Sequence, residues 1–226
     1  QLFRRYVAPE VVDRLLQGGT DVEAGRRMEV TILFADVRGF TAFAEQASPE
    51  DVVRCLDKYL QVMADSILAH GGMLDKYVGD SVMAVFGAPL PRPDHAQAAL
   101  AAALDIRRRV AAIGEHEDHP GAALEVGIGI HSGEAVVGSI GSPLRREFTA
   151  IGDAVNVASR LEEAAGPGEI LISETAAQAA GIELEGAAVE YRLRGRSDPV
   201  KAFSIREDTA LAFGRGSSVV RASSEG

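Results

Sequence analysis

The pair Gly79-Asp80 stands between two runs of six residues, Met73–Val78 (MLDKYV) and Ser81–Phe86 (SVMAVF). Two residues, the first a glycine, join two strands only through a tight hairpin, which restricts the fold more than any other feature of the chain. Upstream, residues 30–35 (VTILFA) are β-branched, aromatic and apolar without interruption, as a short strand covered on both faces should be. Between them Ser48-Pro49-Glu50-Asp51 opens a capped helix. In it Val52, Val53, Leu56, Leu60, Met63 and Ile67 recur at helical spacing until Gly71-Gly72 ends the run. The chain thus reads strand, helix, hairpin, with Asp36 where the first strand stops and Asp80 at the hairpin tip.

The rest continues that plan. Residues 88–93 (APLPRP) form a rigid connector, Asp94 caps an Ala- and Leu-rich helix to about Ile113, and residues 124–130 return as a strand with GEAVVGSIG as its hairpin partner. The order predicts an α/β (α+β) domain with a ferredoxin-like βαββαβ core, a central mostly antiparallel sheet carrying its helices on one face. A strand near Phe148, a helix over 154–164, a strand over 169–172 and a final hairpin across 189–205 elaborate it. Residues 1–28 are expected to be a leading segment with an amphipathic helix over 2–17, which either covers a domain edge or relays a signal from upstream. Residues 29–207 are the domain, and 208–226 a flexible tail.

Composition narrows the function classes. A 226-residue chain with 46% apolar residues can bury one sizeable core. With 23 basic against 33 acidic residues, its net charge of −10 argues against binding nucleic acid by phosphate neutralisation. A polyanionic substrate must then be met by local cations or metal. The single Cys55 cannot form an internal disulfide, which fits a reducing, cytoplasmic compartment. No apolar run approaches the roughly twenty residues of a membrane span. The chain begins with Gln1, so a membrane tether or sensor upstream is left open.

Asp36 and Asp80 are lone carboxylates at element ends, and if the sheet brings them together they offer hard oxygen ligands to magnesium. Their structural alternatives are a cap and a turn residue. The amides around Gly39, Phe40 and Thr41 open a helical turn and favour an anion. Asn156 and Arg160, four apart on one helix, present an amide and a cationic fork suited to phosphate. An intrahelical pair, or a salt bridge from Arg160 to a neighbouring glutamate, is the alternative. Lys76 interrupts an apolar strand and either snorkels or faces a polar ligand. Arg194 and Arg196 lie in a late segment from which cations could reach terminal phosphates. These residues reach as far as metal-assisted phosphoryl transfer.

FADVRGFT, LDKYVGDSVMAVFG, GIGIHSGEAVVG and FTAIGDAVNVASRLE, in this order, resemble the catalytic domain of class III nucleotidyl cyclases. The resemblance covers about residues 29–207, and FRRYVAPEVVDRLL resembles the segment that joins such domains to upstream sensors in bacterial members. It implies the family's catalytic-domain fold and a head-to-tail homodimer with active sites between subunits, making a 3′,5′-cyclic nucleotide and pyrophosphate. By position, Asp36 and Asp80, with Val37 beside them, would hold two Mg²⁺ or Mn²⁺ ions in one subunit. Asn156 and Arg160 of the other would orient the ribose and neutralise the α-phosphate. Arg196, or Arg194 after a shift of two, would bind the triphosphate with the amides of Gly39, Phe40 and Thr41.

Base choice follows from the same resemblance. Lys76 matches the adenine-reading lysine, and Thr149 falls where adenylyl cyclases carry Asp, Thr or Ser. An ammonium donates to adenine N1, whereas guanine N1 is itself a donor and would be left unpaired. The reading is therefore an adenylate cyclase acting on ATP, with a guanylate cyclase or a regulatory cyclase half of little activity as its rivals.

Overall fold

The computed structural model describes residues 25–115, 124–142, 144–184, 188–192, 198–206, 210–213 and 220–221. Its first strand, β1 (Arg26–Arg38), has thirteen residues, longer at both ends than the apolar run 30–35. Alternation explains the extension. Met28, Val30 and Ile32 are buried while Arg27 and Glu29, which alternate with them, are exposed, so these polar residues lie on the open side of a continuing strand. Asp36 consequently sits inside β1 rather than beyond it.

A short helix α1 (Phe40–Ala44) and the long α2 (Pro49–Ala69) follow. The Ser48 hydroxyl caps α2 by accepting the Asp51 amide at 3.2 Å, and Pro49 takes the first turn, as the sequence implies. The hairpin of β2 (Met73–Val78) and β3 (Ser81–Phe86) forms as expected, with Gly79 at φ 64° taking the turn conformation that a side chain would strain. Then come α3 (His95–Glu115), β4 (Glu125–Ser142), β5 (Arg145–Ile151) and α4 (Asp153–Ala164). They are followed by β6 (Ile170–Ser173), α5 (Glu174–Ala179), β7 (Ile182–Leu184), β8 (Val189–Tyr191) and β9 (Val200–Ile205). Two further strands, β10 (Ala210–Phe213) and β11 (Val220–Arg221), form within the stretch expected to be a tail.

The main sheet runs β2-β3-β1-β4-β6-β9-β8, with β5 on the far end of β4, and β10 joins β7 and β11 in a small second sheet. Every pairing of the main sheet is antiparallel except β4 with β6. Two sequence expectations about the sheet need correction. Residues 125–142 are one strand of eighteen, not a strand and its hairpin partner, because Gly133 and Glu134 stay in register opposite Val30 and Glu29. The reversal comes only after Ser142, where Arg145 returns opposite it. The helices do not share one face: α2, α3 and α5 pack with Leu33, Ala35, Val82, Ala84, Ile128 and Ile170, while α4 lies across the opposite face on Met28, Val30, Ile32, Met83, Val85 and Ala135. The six-residue α5 was not anticipated, since its ETAAQA carries no apolar periodicity long enough to read. The leading helix over 2–17 lies outside the described residues. Among the described residues, no helix is long and apolar enough to cross a membrane.

Glycines decide how close α4 comes. Gly127, Gly129 and Gly133 stand opposite Asp36, Phe34 and Val30, all on the α4 side of β4. A Cβ at Gly129 would run into the backbone nitrogen of Glu162 and the carbonyl oxygen of Ala158, and one at Gly127 into the Arg38 guanidinium. Backbone cannot yield as a flexible side chain can, so Gly129→Ala must lift α4 from the sheet. We expect a loss of about 1–3 kcal/mol, seen in thermal unfolding as a fall in Tm of roughly 2–12 °C. An unchanged Tm would show that α4 is held by its apolar face alone.

Candidate active site

β1 delivers Asp36 to the α4 face of the sheet rim. The β1–β3 register ends at the Asp36–Ser81 pair while the β1–β4 register continues to Arg38–Glu125. On the β3 side, the backbone of Val37 is therefore free of the ladder, although its side chain is buried in the helix-covered core. Asp36 accepts the Ser81 hydroxyl on Oδ1 at 2.6 Å and Arg38 Nη1 on Oδ2 at 2.6 Å. Arg38 Nη2 reaches Glu162 Oε1 on α4 at 2.6 Å and meets the Glu162 carbonyl as well. One guanidinium thus bridges two carboxylates, and the three side chains are only 18%, 21% and 8% exposed, which shields the cluster from salt.

Asp80 occupies the tip of the β2–β3 hairpin, next to Ser81. Its carboxyl is pushed above the usual range, first by burial and then by the negative charge of Asp36 beside it. Two mutually repelling carboxylates at one rim are an arrangement that a hard cation relieves, and the donor chemistry fits Mg²⁺ or Mn²⁺. Among the described residues no three metal-ligating side chains converge. An ion held here would complete its shell from the backbone at Val37, water and phosphate oxygens.

Lys76 and Thr149, the residues expected to read the base, come together at Asp75. Thr149, 6% exposed on β5, donates its hydroxyl to Asp75 Oδ2 at 2.8 Å. Lys76 Nζ stands 3.6 Å from that same oxygen and 3.4 Å from Glu147 Oε2. Both of its contacts are long, and Glu147 is half exposed, so they restrain the ammonium weakly and leave it available to a ligand.

Asn156 and Arg160 rise from α4 on the side away from Val157, Ala158 and Leu161, which are buried. Asn156 is exposed and Arg160 half-buried, and among the described residues neither side chain has a hydrogen-bond or ion-pair partner. The glutamate salt bridge that was the structural alternative for Arg160 is not formed there. Gly39, at φ 82°, opens α1 without a side-chain cap; Phe40 turns into the core 6.0 Å from the Phe43 ring, and Thr41 is exposed. Arg194 and Arg196 lie outside the described residues.

The structure thus joins Asp36 to Asp80 and Lys76 to Thr149. It leaves the side chains of Asn156 and Arg160 without a partner among the described residues. A groove of about 480 Å³ lined by Arg27, His131, Glu134, Ile151 and Asp153 opens on the α4 face, but none of the expected site residues lines it. Sequence reasoning missed Arg38, Asp75, Glu147 and Glu162. Arg38 had a usable signal, since residues two apart in a strand share a face.

Residues 22–206 match the family described as the adenylate and guanylate cyclase catalytic domain. The chain is 40% identical over 162 residues to adenylate cyclase 1 of Rhizobium meliloti (strain 1021), covering 71% of this chain and 24% of that protein. It is 37% identical over 170 residues to an adenylate cyclase of Anabaena cylindrica, covering 71% of this chain and 32% of that one. The chain therefore spans about a quarter to a third of the length of these two relatives. Among solved structures, the guanylyl cyclase Cya2 superposes with a TM-score of 0.76 at 34% identity, over 87% of this chain and 98% of that one. The adenylyl cyclase CyaB from P. aeruginosa superposes with a TM-score of 0.70 at 32% identity, over 85% and 97%.

The bridging cluster has a consequence for pH. Burial raises the Glu162 carboxyl from 4.5 to about 7, because Arg38 divides its charge between Glu162 and Asp36 and cannot offset the lost hydration. Between about 4.5 and 7 the folded chain holds a proton there that the unfolded chain has released. This contribution is fully present below that window and is lost as pH rises through it. Compared with wild type, Glu162→Gln should lose less stability across the window, measured as Tm against pH. Parallel profiles would mean that Arg38 keeps Glu162 ionised throughout.

Proposed function

Since the chain belongs to the adenylate and guanylate cyclase catalytic domain family, we propose that it is an adenylate cyclase converting ATP to 3′,5′-cyclic AMP and pyrophosphate. The observation that carries the choice of ATP is the meeting of Lys76 with Thr149 beside Asp75. The Lys76 ammonium donates to adenine N1, and Thr149, whose proton is already committed to Asp75, accepts from the exocyclic amino group. Guanine N1, a donor, would face Lys76 unsatisfied, which in a polar-lined site costs more than a missing apolar contact.

The chemistry belongs to the rim. Asp36 and Asp80, with the backbone at Val37, would hold Mg²⁺ or Mn²⁺, two ions per site. When bound, such ions lower the pKa of the ribose 3′-hydroxyl and screen the phosphates. The ribose 3′-hydroxyl releases its proton to solvent, its oxygen attacks the α-phosphorus, the bond from that phosphorus to the bridging β-phosphate oxygen breaks, and pyrophosphate leaves. Arg160 neutralises the charge that grows on the α-phosphate, and Asn156 orients the ribose. Arg196, or Arg194, and the amides at Gly39, Phe40 and Thr41 bind the triphosphate.

Helix geometry supports a site shared by two copies. Glu162, which faces the sheet and anchors Arg38, is two residues from Arg160 and hence about 200° around the helix from it. The face of α4 that supports Asp36 is therefore turned away from the face that carries Asn156 and Arg160. A head-to-tail homodimer lets one copy's carboxylates meet the other's Asn156 and Arg160. A sensor module upstream would act on that pairing, and the partners are ATP and a second copy rather than nucleic acid. The likeness to Cya2 is the specific observation behind a second reading, a guanylate cyclase.

Cyclic nucleotide formation from ATP and GTP in parallel, at high protein concentration with Mn²⁺ or Mg²⁺, tests the reading. We expect cyclic AMP in strong preference, abolished by Asp80→Ala and reduced about 10²–10³-fold by Arg160→Ala. Preference for GTP would establish the second reading. Mixing inactive Asp36→Ala and Arg160→Ala chains should restore up to about a quarter of wild-type activity, since half the dimers are mixed and each holds one intact site. No recovery in proven mixed dimers would sink the shared site.

A further inference from the structure

Asp75 is an acidic side chain with no solvent exposure, and it lies at an irregularity of the hairpin. Leu74 stands opposite Ala84 and Lys76 opposite Met83, so Asp75 is the extra residue of a β-bulge. The bulge has a definite effect. Met73 and Lys76 both face the α4 side, opposite Val85 and Met83, although residues three apart in an unbroken strand face opposite ways. By inserting one residue, the chain turns Lys76 out of the helix-covered core and sets it beside Asp75 on the side of Thr149.

Burial at that place is costly unless the carboxylate does something specific. Oδ2 takes the Thr149 proton at 2.8 Å and has Lys76 Nζ at 3.6 Å, while Oδ1 is buried without any hydrogen-bond partner among the described residues. A threonine hydroxyl carries one proton and two lone pairs, so it can serve a ligand as donor or acceptor. Its proton, once given to Asp75, leaves only lone pairs to offer.

We propose that Asp75 is a positioning residue for base selection, which fixes Thr149 as an obligate acceptor and so favours the adenine amino group over the guanine carbonyl oxygen. The inference rests on Lys76 and Thr149 being the base-reading pair. To bind guanine O6, Thr149 would have to rotate and donate, stripping Asp75 of its one short hydrogen bond. Removing the partner of a buried carboxylate costs the full desolvation of that group. Asp75 thereby gives a neutral hydroxyl the hydrogen-bonding polarity of an aspartate without placing a second negative charge against the base.

The test is the ATP-to-GTP ratio, measured both as kcat/KM and as association constants for the unreactive 3′-deoxy triphosphates, in wild type, Asp75→Leu, Asp75→Ala, Thr149→Val and the Asp75→Leu/Thr149→Val double variant. The two Asp75 variants differ in volume, so one serves where the other fails to fold. Either should lower both ratios about tenfold, Thr149→Val should do the same, and the double variant should lose no more than the single ones. A merely structural role would reduce handling of both nucleotides and leave the ratio alone. An unchanged ratio in a folded Asp75 variant, or a double variant whose loss is the product of the single losses, would overturn the inference while leaving Thr149 as a base reader. A wild-type ratio near one, or no effect of Thr149→Val, would instead bring down the base-reading pair and the inference with it.

Discussion

The antiparallel pairing of β1 with β4 is the constraint on which the rest of the molecule depends. It runs the whole length of β1, from Arg26 opposite Val137 to Arg38 opposite Glu125. Because a strand alternates its faces, a one-residue slip would carry Asp36 into the helix-covered core and bring Leu33 and Ala35 out beneath α4. The burial of Leu33, Ala35, Ile128 and Ile130 on one side and of Val30 and Ile32 on the other makes such a slip prohibitive. The same register sets Gly127 opposite Asp36 and Gly129 opposite Phe34, so the space for Arg38 and for α4 is created where the carboxylate stands.

That frame explains which parts of the molecule could be read from the sequence. The hairpin at Gly79-Asp80, the capped helix from Ser48 and the polar stripe of Asn156 and Arg160 each arise from local chemistry, and local chemistry survives folding. The long β4 was not legible. Gly133-Glu134 has a turn-like composition, and only the opposing backbone of Val30 and Glu29, distant in sequence, holds it straight. The placement of α4 was equally hidden. Gly127, Gly129 and Gly133 read as loop-forming or strand-weakening residues, yet their common face becomes meaningful only once a helix must approach it. Lys76 was legible as a residue but not as a direction, since the bulge at Asp75 leaves no mark in a hydrophobic pattern.

The electrostatics of the carboxylate rim follow from shared partners more than from isolated pairs. Arg38 serves both Asp36 and Glu162, so neither carboxylate has a full countercharge, and Asp80 feels Asp36 with Arg38 only as a weaker compensation. A cluster of this kind is poor as a device for stability, because buried ion pairs seldom return the cost of their desolvation. It is better suited to holding carboxylate oxygens in a fixed direction at the rim. Ser81 and Arg38 each take one oxygen of Asp36, which leaves that group with defined lone pairs rather than a free rotor.

A single α-helix therefore carries two obligations on opposite sides. Its inner side closes on Gly129 and receives Arg38 through Glu162, which ties it to the carboxylate rim of its own chain. Its outer side carries Asn156 and Arg160, which have no partner within their own chain among the described residues. In the proposed dimer, the helix that supports one site's carboxylates supplies the other site's phosphate-facing cation. The close backbone contact at Gly129 leaves little freedom for the outer side to shift without the inner side following. In that dimer the precision of Arg160 toward the α-phosphate would be inherited from packing on the far side of the helix, where a glycine, not a catalytic group, sets the distance.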